Sequence, residues 1–406
     1  MFSRFMIGTA VVVVAIGIAF PRQAAAQSGG YVVTDLGAIG GPQSSASSIN
    51  GSGQIVGVST LASANLHGVF YNGLLTDLGT LGTDTQSAGY AVNDAGQVVC
   101  VSYSFGNLQS HAMLWQGGTS TNLGNFSPRD INASGVVAGY LTTFLNNLYV
   151  DHACVWNAGV LTDLGTLGGR NSQVLAIDTA ARTVGQSYLA DNMTLRACLW
   201  QGGTAHDLGT LTGGATANSS ATSLNDHGQI VGWSDTASGS PHAFLVQVDS
   251  GGNVSASTDL GALAGTYSYA YGINSAGTAV GSSNSRAVLW AGGQISDLNA
   301  SIPGNAGWVL TRATAINSSG QIVGEGLHFG FPHAFLLTSS TCLKGDVNGD
   351  GVVNGLDVQA FVEVFLSGGT PQQICAADMG APTDGVVTNA DLVSFVSCLL
   401  GIGSCN

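Results

Sequence analysis

A 12-residue stretch near the end of the sequence carries oxygen-bearing groups at the spacing of a calcium-binding loop. A hard cation such as Ca²⁺ takes six to eight oxygen ligands, and such a loop supplies them from positions 1, 3, 5, 7, 9 and 12, with glycine at position 6 for the sharp turn. Gly351 stands at position 6. The predicted ligands are Asp346, Asn348, Asp350, the Val352 carbonyl, Asn354 and Asp357. The sequence therefore predicts a Ca²⁺ site, with Asp357 in place of the longer glutamate that is familiar at position 12.

A second, less regular copy of this loop follows. Its predicted ligands are Asp378, Asp384, the Val386 carbonyl, Thr388 and Asp391. Asp378 reaches position 1 only if two residues are inserted before Asp384, and no asparagine stands at position 3, so calcium binding by this loop stays an open question. After each loop, apolar residues at i and i+4 predict a helix that buries one face. These pairs are Phe361 and Phe365, Val358 and Val362, and Leu392 and Val396.

The two loop-helix repeats within residues 342–406 resemble a type I dockerin. The resemblance implies Ca²⁺ as cofactor and a cohesin as partner on an extracellular or cell-surface assembly. Dockerins use loop positions 10 and 11 in part for this contact, and here the usual Ser-Thr type of pair is replaced by Gly355 and Leu356, then Asn389 and Ala390. A further departure is the presence of four close cysteines, which predict two disulfides in any of three pairings. They are Cys342, Cys375, Cys398 and Cys405.

A repeat of roughly 44 residues organises the sequence before this module. Each copy contains four short segments that are rich in Val, Ile, Leu and Trp and bounded by Gly, Asn or Ser, which predicts a four-stranded antiparallel blade. We name these strands a to d in chain order. Strand a ends at a turn residue, which is Asn50, Asn93, Asn132, Asp178, Asn225, Asn274 or Asn317. Strand d ends in an Asp-Leu-Gly string or a variant of it, which begins at Asp35, Asp77, Asn122, Asp163, Asp207, Asp259 or Asp297.

The phase of the repeat predicts a closed ring. The chain opens with a lone d strand, at 31–37, and the body ends with an a, b and c strand that have no d strand. Pairing that first strand with the last three completes a seventh blade and covers two edges that would otherwise favour aggregation. We therefore predict an all-β, seven-bladed propeller at 31–341, closed by its N-terminal strand and followed by a small α-helical calcium module at 342–406. The consensus strings DLGTLGG, INxxGQIVG and HAFLW resemble the extracellular HAF repeat family, over about residues 31–338, and this resemblance supplies no catalytic residue or ligand.

The N-terminus and the charge indicate where the protein works. Residues 1–26 combine Arg4, an apolar run and a final Ala-Ala-Ala, which predicts a secretory signal peptide; the alternative is an uncleaved anchor. We expect a secreted protein, extracellular or attached to the cell surface, with no transmembrane segment after cleavage. The net charge of -14, with nine Lys and Arg, argues against nucleic acid as a partner. We interpret Cys154 and Cys198, at matching repeat positions, as free buried thiols.

The residues of the propeller predict binding rather than catalysis. Its one glutamate is Glu325, and no catalytic motif or pair of carboxylates at glycosidase spacing is recognisable. Five c strands open with histidine and two with arginine, which we interpret as structural hydrogen bonding because equivalent positions lie far apart around a ring. The repeated Asp is likewise interpreted as a turn cap. We therefore expect no enzymatic activity.

Aromatic residues in the loops suggest a ligand. Flat rings among hydroxyl and amide groups suit a neutral glycan, and the candidates are Trp233, Trp308, Tyr267 and Tyr269. The alternative is that these rings pack loops against blades. The sequence thus predicts a secreted, non-catalytic binding or scaffold propeller tethered by its calcium module. The alternative function is a secreted polysaccharide-active enzyme, a glycoside hydrolase or lyase, carried by the same module.

Overall fold

The computed structural model describes most of the propeller and part of the C-terminal module. The predicted signal peptide at 1–26 lies outside the described residues. So do Asp350, Val352, Asp384 and Val386 among the predicted ligands, and Cys342, Cys375 and Cys405. The described residues are 30–104, 110–145, 147–302, 304, 306–339, 344–348, 353–368, 373, 376–379 and 387–400.

The described residues form seven four-stranded antiparallel sheets, so the predicted seven-bladed propeller is confirmed. Six blades take four consecutive strands each, and the seventh joins the last three strands to the first. The strands are β1 (Tyr31–Asp35); β2 (Ser44–Ile49), β3 (Ile55–Thr60), β4 (Leu66–Tyr71) and β5 (Leu75–Asp77) in blade 1; β6 (Gln86–Val92), β7 (Val98–Tyr103), β8 (His111–Gln116) and β9 (Thr119–Gly124) in blade 2; β10 (Ser127–Ile131), β11 (Val137–Leu145), β12 (Leu148–Asn157) and β13 (Val160–Gly165) in blade 3; β14 (Gly168–Ile177), β15 (Thr183–Leu189), β16 (Leu195–Gln201) and β17 (Thr204–Asp207) in blade 4; β18 (Ser219–Leu224), β19 (Gln229–Asp235), β20 (Pro241–Val248) and β21 (Val254–Gly261) in blade 5; β22 (Ser268–Ile273), β23 (Ala279–Ser283), β24 (Arg286–Ala291) and β25 (Gln294–Asp297) in blade 6; and β26 (Trp308–Ile316), β27 (Ile322–His328) and β28 (Phe331–Ser339) in blade 7.

The hydrophobic core lies between consecutive blades. One cluster, for example, packs Val56 and Phe70 of blade 1 against Val98 and Met113 of blade 2. The b strands are covered on both faces, which explains why they read as continuous Ile-Val runs rather than as an alternating pattern. The glycine that ends most of these runs is required by the neighbouring strand, because a Cβ on Gly57 would lie 2.0 Å from the Ser45 carbonyl oxygen.

The turn between strands a and b links each blade to the next. The Asn50 side-chain oxygen accepts hydrogen bonds from the backbone of its own turn, and its amide donates to the Asn93 carbonyl of the next blade at 2.9 Å. Six of the seven turns donate in this way. In the seventh, Asp178 cannot donate, and Arg182 both pairs with Asp178 and donates to the Asp226 carbonyl. These bonds form a relay around the ring, and the six asparagine steps of it are buried.

The predicted closure by the N-terminal strand is confirmed. β1 pairs antiparallel with β28, with Tyr31 opposite Ser339 and Asp35 opposite Phe335. The relay also crosses the seam, since the Asn317 amide donates to the Asn50 carbonyl at 3.0 Å. The two ends of the propeller sequence are therefore joined by a full strand as well as by side chains.

The described part of the C-terminal module contains the helices α1 (Asp357–Ser367) and α2 (Asn389–Leu399). Phe361 of α1 stacks on Phe395 of α2 with ring centroids 4.2 Å apart, and these rings form the core of the module. The prediction that the valine and leucine pairs are buried is wrong. All four side chains of these pairs are exposed, namely Val358, Val362, Leu392 and Val396. They stay outside because the stacked rings of Phe361 and Phe395 already fill this small core. No helix in the described part of the chain is long and apolar enough to cross a membrane.

Candidate functional site

The first calcium loop is organised around its last residue. Asp357 is fully buried, and its two carboxylate oxygens accept hydrogen bonds from the backbone N–H of Asn348 at 3.0 Å and of Asn354 at 2.9 Å. These are loop positions 3 and 9, so the position-12 carboxylate lies against both arms of the loop. Asp346, at position 1, is also buried. Asp357 therefore joins the two arms of the loop, and the first and last ligand candidates are both buried.

The second loop leads into α2 through a capping box. The Thr388 side chain caps the helix, and Asp391 accepts in return from the Thr388 backbone N–H at 2.8 Å. Asp378 and Asp391 are both buried. The first and last predicted ligands of the loop therefore both lie in the protein interior. One of them is Asp378, whose place in the loop was doubtful from the spacing alone.

The charge of the module fits a bound cation. Asp346, Asp357, Asp378 and Asp391 are buried, while the only cationic side chain in 342–406 is Lys344. Buried carboxylates are costly unless a positive charge accompanies them. An oxygen-only donor set with excess negative charge suits Ca²⁺ and does not suit a softer metal. The residues present therefore fit calcium as the cofactor.

The module presents an apolar surface beside its loops. Leu356, at loop position 11, is 71% exposed, and Gly355, Asn389 and Ala390 are exposed as well. The exposed apolar side chains of the two helices continue from these positions, and we call them together the helix surface: Val358, Val362 and Leu366 on α1, and Leu392, Val393 and Val396 on α2. Such exposed apolar residues on a small domain are typical of a protein-binding face.

The four aromatic candidates fall into two groups. Trp233, Tyr267 and Tyr269 form one cluster, in which the Tyr269 ring lies 6.1 Å from Trp233 and 6.2 Å from Tyr267. Trp308 lies in another blade, where it stacks on His328 at 4.5 Å and meets the Phe335 ring edge-on. Trp308 therefore packs against the core of blade 7, whereas the first three line a half-exposed patch.

A polar cleft that the sequence did not reveal lies between blades 3 and 4. Tyr149 and Tyr188 line it together with Asp151, Asn171, Gln173 and Gln186. Asp151 accepts hydrogen bonds from Thr142 at 2.7 Å and from Gln173 at 2.8 Å. Two tyrosine rings flanking amide groups offer the same chemistry as the Trp233 patch. These six residues lie on β12, β14 and β15, and no repeat position pointed to them in the sequence.

The repeated histidines form paired contacts, as the structural interpretation expects. His67 bonds Asp77 at 2.8 Å, and the same Asp caps its glycine turn by accepting from the Gly79 N–H. Equivalent pairs join His152 to Asp163, Arg196 to Asp207, His242 to Asp259 and Arg286 to Asp297. In blade 2, where Asn122 replaces the Asp, His111 bonds Asp84 instead, at 2.8 Å. The seventh blade departs from this rule because His328 joins the pair of His333 and Asp35.

The remaining reactive groups are enclosed or paired. Cys100, Cys154 and Cys198 are free and buried, as predicted for the last two, and burial raises the pKa of the Cys154 thiol to about 12. Cys398 is disulfide-bonded, which agrees with a bridged module. Glu325 lies 3.4 Å from Arg312.

Comparisons with known proteins find a family similar to the C-terminal module. Residues 344–399 match the family model described as the dockerin type I domain. Dockerins of this type bind calcium and dock onto cohesins. Among proteins with curated descriptions, none matches this chain significantly.

Solved structures resemble this chain at low identity. An oligogalacturonate lyase in complex with manganese matches with a TM-score of 0.48 and 12% identity, over 77% of this chain and 94% of that one. TolB from Acinetobacter baumannii matches with a TM-score of 0.41 and 12% identity, over 72% and 65%. A puromycin hydrolase matches with a TM-score of 0.43 and 14% identity, over 75% and 51%, so the chain spans only part of the last two structures.

Proposed function

We propose that the chain is a secreted binding or scaffold propeller, which its calcium-dependent dockerin module tethers to a cohesin on an extracellular or cell-surface assembly. The observation that carries the proposal is the dockerin match at 344–399, together with the buried carboxylates of that module. A bound Ca²⁺ would neutralise these carboxylates and hold the loops that begin α1 and α2. The disulfide at Cys398 and the predicted signal peptide support an extracellular location.

The helix surface is the part of the module that we assign to the cohesin. Val362 on α1 is 45% exposed and Val396 on α2 is 44% exposed, and each stands six residues after a position-11 residue, Leu356 or Ala390. Burying an aliphatic side chain of this size in an interface contributes about 1.5 kcal/mol or more, and a buried carboxylate in its place opposes binding. The departures at Gly355 and Leu356 then alter which cohesin is chosen, not whether the surface is used.

Surface variants test this assignment. The double variant Val362→Asp/Val396→Asp should bind a panel of immobilised type I cohesins at least tenfold more weakly than the unmodified chain, in buffer with Ca²⁺. The matched control is Val160→Asp, at an exposed valine on the propeller. Because all three side chains face solvent, thermal unfolding should change little. Equal binding by the double variant, or equal loss in the control, contradicts the assignment.

For the propeller we propose a neutral glycan as ligand, bound at the patch of Trp233, Tyr267 and Tyr269. The support is the grouping of three half-exposed rings beside Asp235 and Ser285, whose polar atoms suit sugar hydroxyls. Trp233→Ala with Tyr269→Ala should abolish binding to a glycan array without a change in fold. Trp308→Ala should instead cost about 3 kcal/mol of stability, because Trp308 packs against the core.

The same purified chain decides between binding and catalysis. Incubated with polysaccharides that it binds, it should release no reducing ends and no unsaturated products. Cleavage that is lost on replacement of a carboxylate in the cleft of blades 3 and 4, such as Asp151→Asn, would contradict the non-catalytic part of the proposal. It would support the alternative of a dockerin-borne enzyme.

A further inference from the structure

The seam of the propeller carries a side-chain cluster that the other blades lack. The Asp35 carboxylate at the end of β1 lies 2.7 Å from Nδ1 of His328, at the end of β27, and 2.8 Å from Nδ1 of His333, on β28. The three candidate ligand atoms lie within 4.8 Å of one another. All three side chains are partly accessible to solvent. Within the described residues this is the one such group of three.

We propose that Asp35, His328 and His333 bind a divalent transition metal of the zinc type at the seam of the propeller. Two imidazole nitrogens and one carboxylate oxygen form a donor set that zinc accepts, with water or a ligand in the remaining position. Calcium prefers oxygen alone and belongs to the C-terminal loops. This metal site is independent of the proposed tether and of the proposed glycan patch.

The repeat itself sets this blade apart. In the other blades one histidine or arginine pairs with one carboxylate, and that pair completes the hydrogen bonding of the side chain that begins strand c. His328 stands eleven residues after the turn residue Asn317, and the residues at the same distance in blades 1 to 6 cannot serve as zinc ligands of this kind. They are Leu61, Ser104, Thr143, Leu189, Thr236 and Ser285. The second imidazole is therefore an addition to a pair that is already complete.

The surroundings of His328 hold its ring in place. Trp308 stacks on the imidazole at 4.5 Å with an interplanar angle of 5°, and Phe329 lies 4.5 Å from it at an angle of 34°. Phe329 adopts a φ of 48°, in the left-handed region that bulky residues avoid. Ligand imidazoles are commonly fixed by such neighbouring contacts, since a fixed ring lowers the entropy lost on metal binding.

Metal binding requires an adjustment of all three side chains. Zinc–ligand bonds of about 2.0–2.1 Å in a tetrahedral arrangement place ligand atoms about 3.3 Å apart. Each contact between Asp35 and a histidine must then lengthen by about 0.5 Å, as a proton on Nδ1 is replaced by the metal. The two imidazole nitrogens lie within 4.8 Å of each other and must come to the same separation. The side chains belong to strand ends and to the β27–β28 hairpin, where such a movement does not disturb the core.

A metal here would clamp the ring. Asp35 is separated from His328 by 293 residues, so the bound ion would link the first strand of the propeller to its last two. A ligand that binds only the closed state stabilises it in proportion to its concentration and affinity. The expected signature is thus a rise in the unfolding temperature of the propeller on addition of the metal.

Metal titration of the full chain tests the proposal. The protein is first stripped with a chelator and returned to buffer with excess Ca²⁺, and then titrated with Zn²⁺ in a calorimeter and with Co²⁺ in a spectrophotometer. We expect one equivalent to bind, tetrahedral Co²⁺ absorption, and a higher unfolding temperature of the propeller. His328→Asn should bind at least tenfold more weakly, and His242→Asn, which alters a simple pair in blade 5, should bind as the unmodified chain does.

Several results would overturn the assignment. They are the absence of stoichiometric binding of either metal, unchanged binding in His328→Asn, or loss of binding in His242→Asn. If His328→Asn does not fold, His328→Gln serves as the second variant. The Cu²⁺-loaded unmodified chain provides a check that needs no variant, because electron paramagnetic resonance must detect two coordinated imidazole nitrogens and finding none refutes the site.

Discussion

The a–b turn of blade 4 should become more stable when its alanine is replaced by glycine. Ala181 occupies the turn position that is glycine in the other six blades, and it adopts a φ of 60°. A left-handed conformation costs an alanine about 1–2 kcal/mol relative to glycine. Glycine gives back about 0.4–1 kcal/mol because it makes the unfolded chain more flexible. Ala181→Gly should therefore raise the free energy of unfolding by about 0.5–1 kcal/mol, or the melting temperature by about 1–3 °C.

The reciprocal substitution is the matched control. Gly320 occupies the same turn position in blade 7 with a φ of 79°, and an added Cβ would meet no atom within 4 Å. Gly320→Ala should thus lower stability by about the amount that Ala181→Gly gains, with no contribution from a clash. Urea unfolding of both variants, followed by circular dichroism, measures the two changes. If Ala181→Gly is neutral or destabilising while Gly320→Ala is costly, turn conformation is not what the glycine supplies, and this reasoning fails.

Three further outcomes are expected. Asn317→Ala should lower the free energy of unfolding in urea by about 2–4 kcal/mol, since it leaves the buried Asn50 carbonyl without the relay hydrogen bond. The control Asn72→Ala, at an exposed residue, should lower it by almost nothing. Equal losses in the two variants would contradict the relay. Burial raises the pKa of Asp130 to about 6, although two backbone N–H groups donate hydrogen bonds to its carboxylate. The protonated carboxyl therefore stabilises the folded state at acidic pH, and up to about 3 kcal/mol of this stability is lost as pH rises from the usual pKa of an aspartic acid to about 6. Asp130→Asn should lack this pH dependence of stability. In the chain already freed of transition metals, removal of Ca²⁺ should lower only the calorimetric transition of the C-terminal module and should leave that of Asp357→Ala unmoved. A shift of the propeller transition instead would refute this expectation.

The propeller followed from the sequence because local turn chemistry repeats. Three features recur at one spacing: an asparagine that accepts hydrogen bonds from its own turn, a glycine with positive φ and a buried b strand. The lone d strand at the start and the three strands without a d strand at the end predicted the closure. The sequence did not reveal which faces of the two helices in the small module are buried. The i, i+4 pattern of Val358 and Val362 resembles a core stripe, but one pair of stacked phenylalanines fills the interior and leaves the valines outside.

The candidate sites were predicted only where the repeat or the loop spacing determined them. His328 lies in a variable hairpin and meets Asp35 from the far end of the propeller, a contact that depends on closure geometry. His111 likewise finds Asp84 in a loop, because its own strand offers Asn122. Trp308 and Trp233 look alike as loop aromatics, and only their neighbours separate a core contact from an open patch.

Tethering by the C-terminal module requires calcium-dependent binding to a cohesin. The full chain is titrated into a purified type I cohesin in a calorimeter, first with Ca²⁺, then after chelation, and again after Ca²⁺ is restored. We expect binding of one cohesin per chain, a loss of at least a hundredfold in affinity on chelation, and full recovery. Absence of binding to every cohesin of a panel in Ca²⁺, or binding that chelation leaves unchanged, would contradict it.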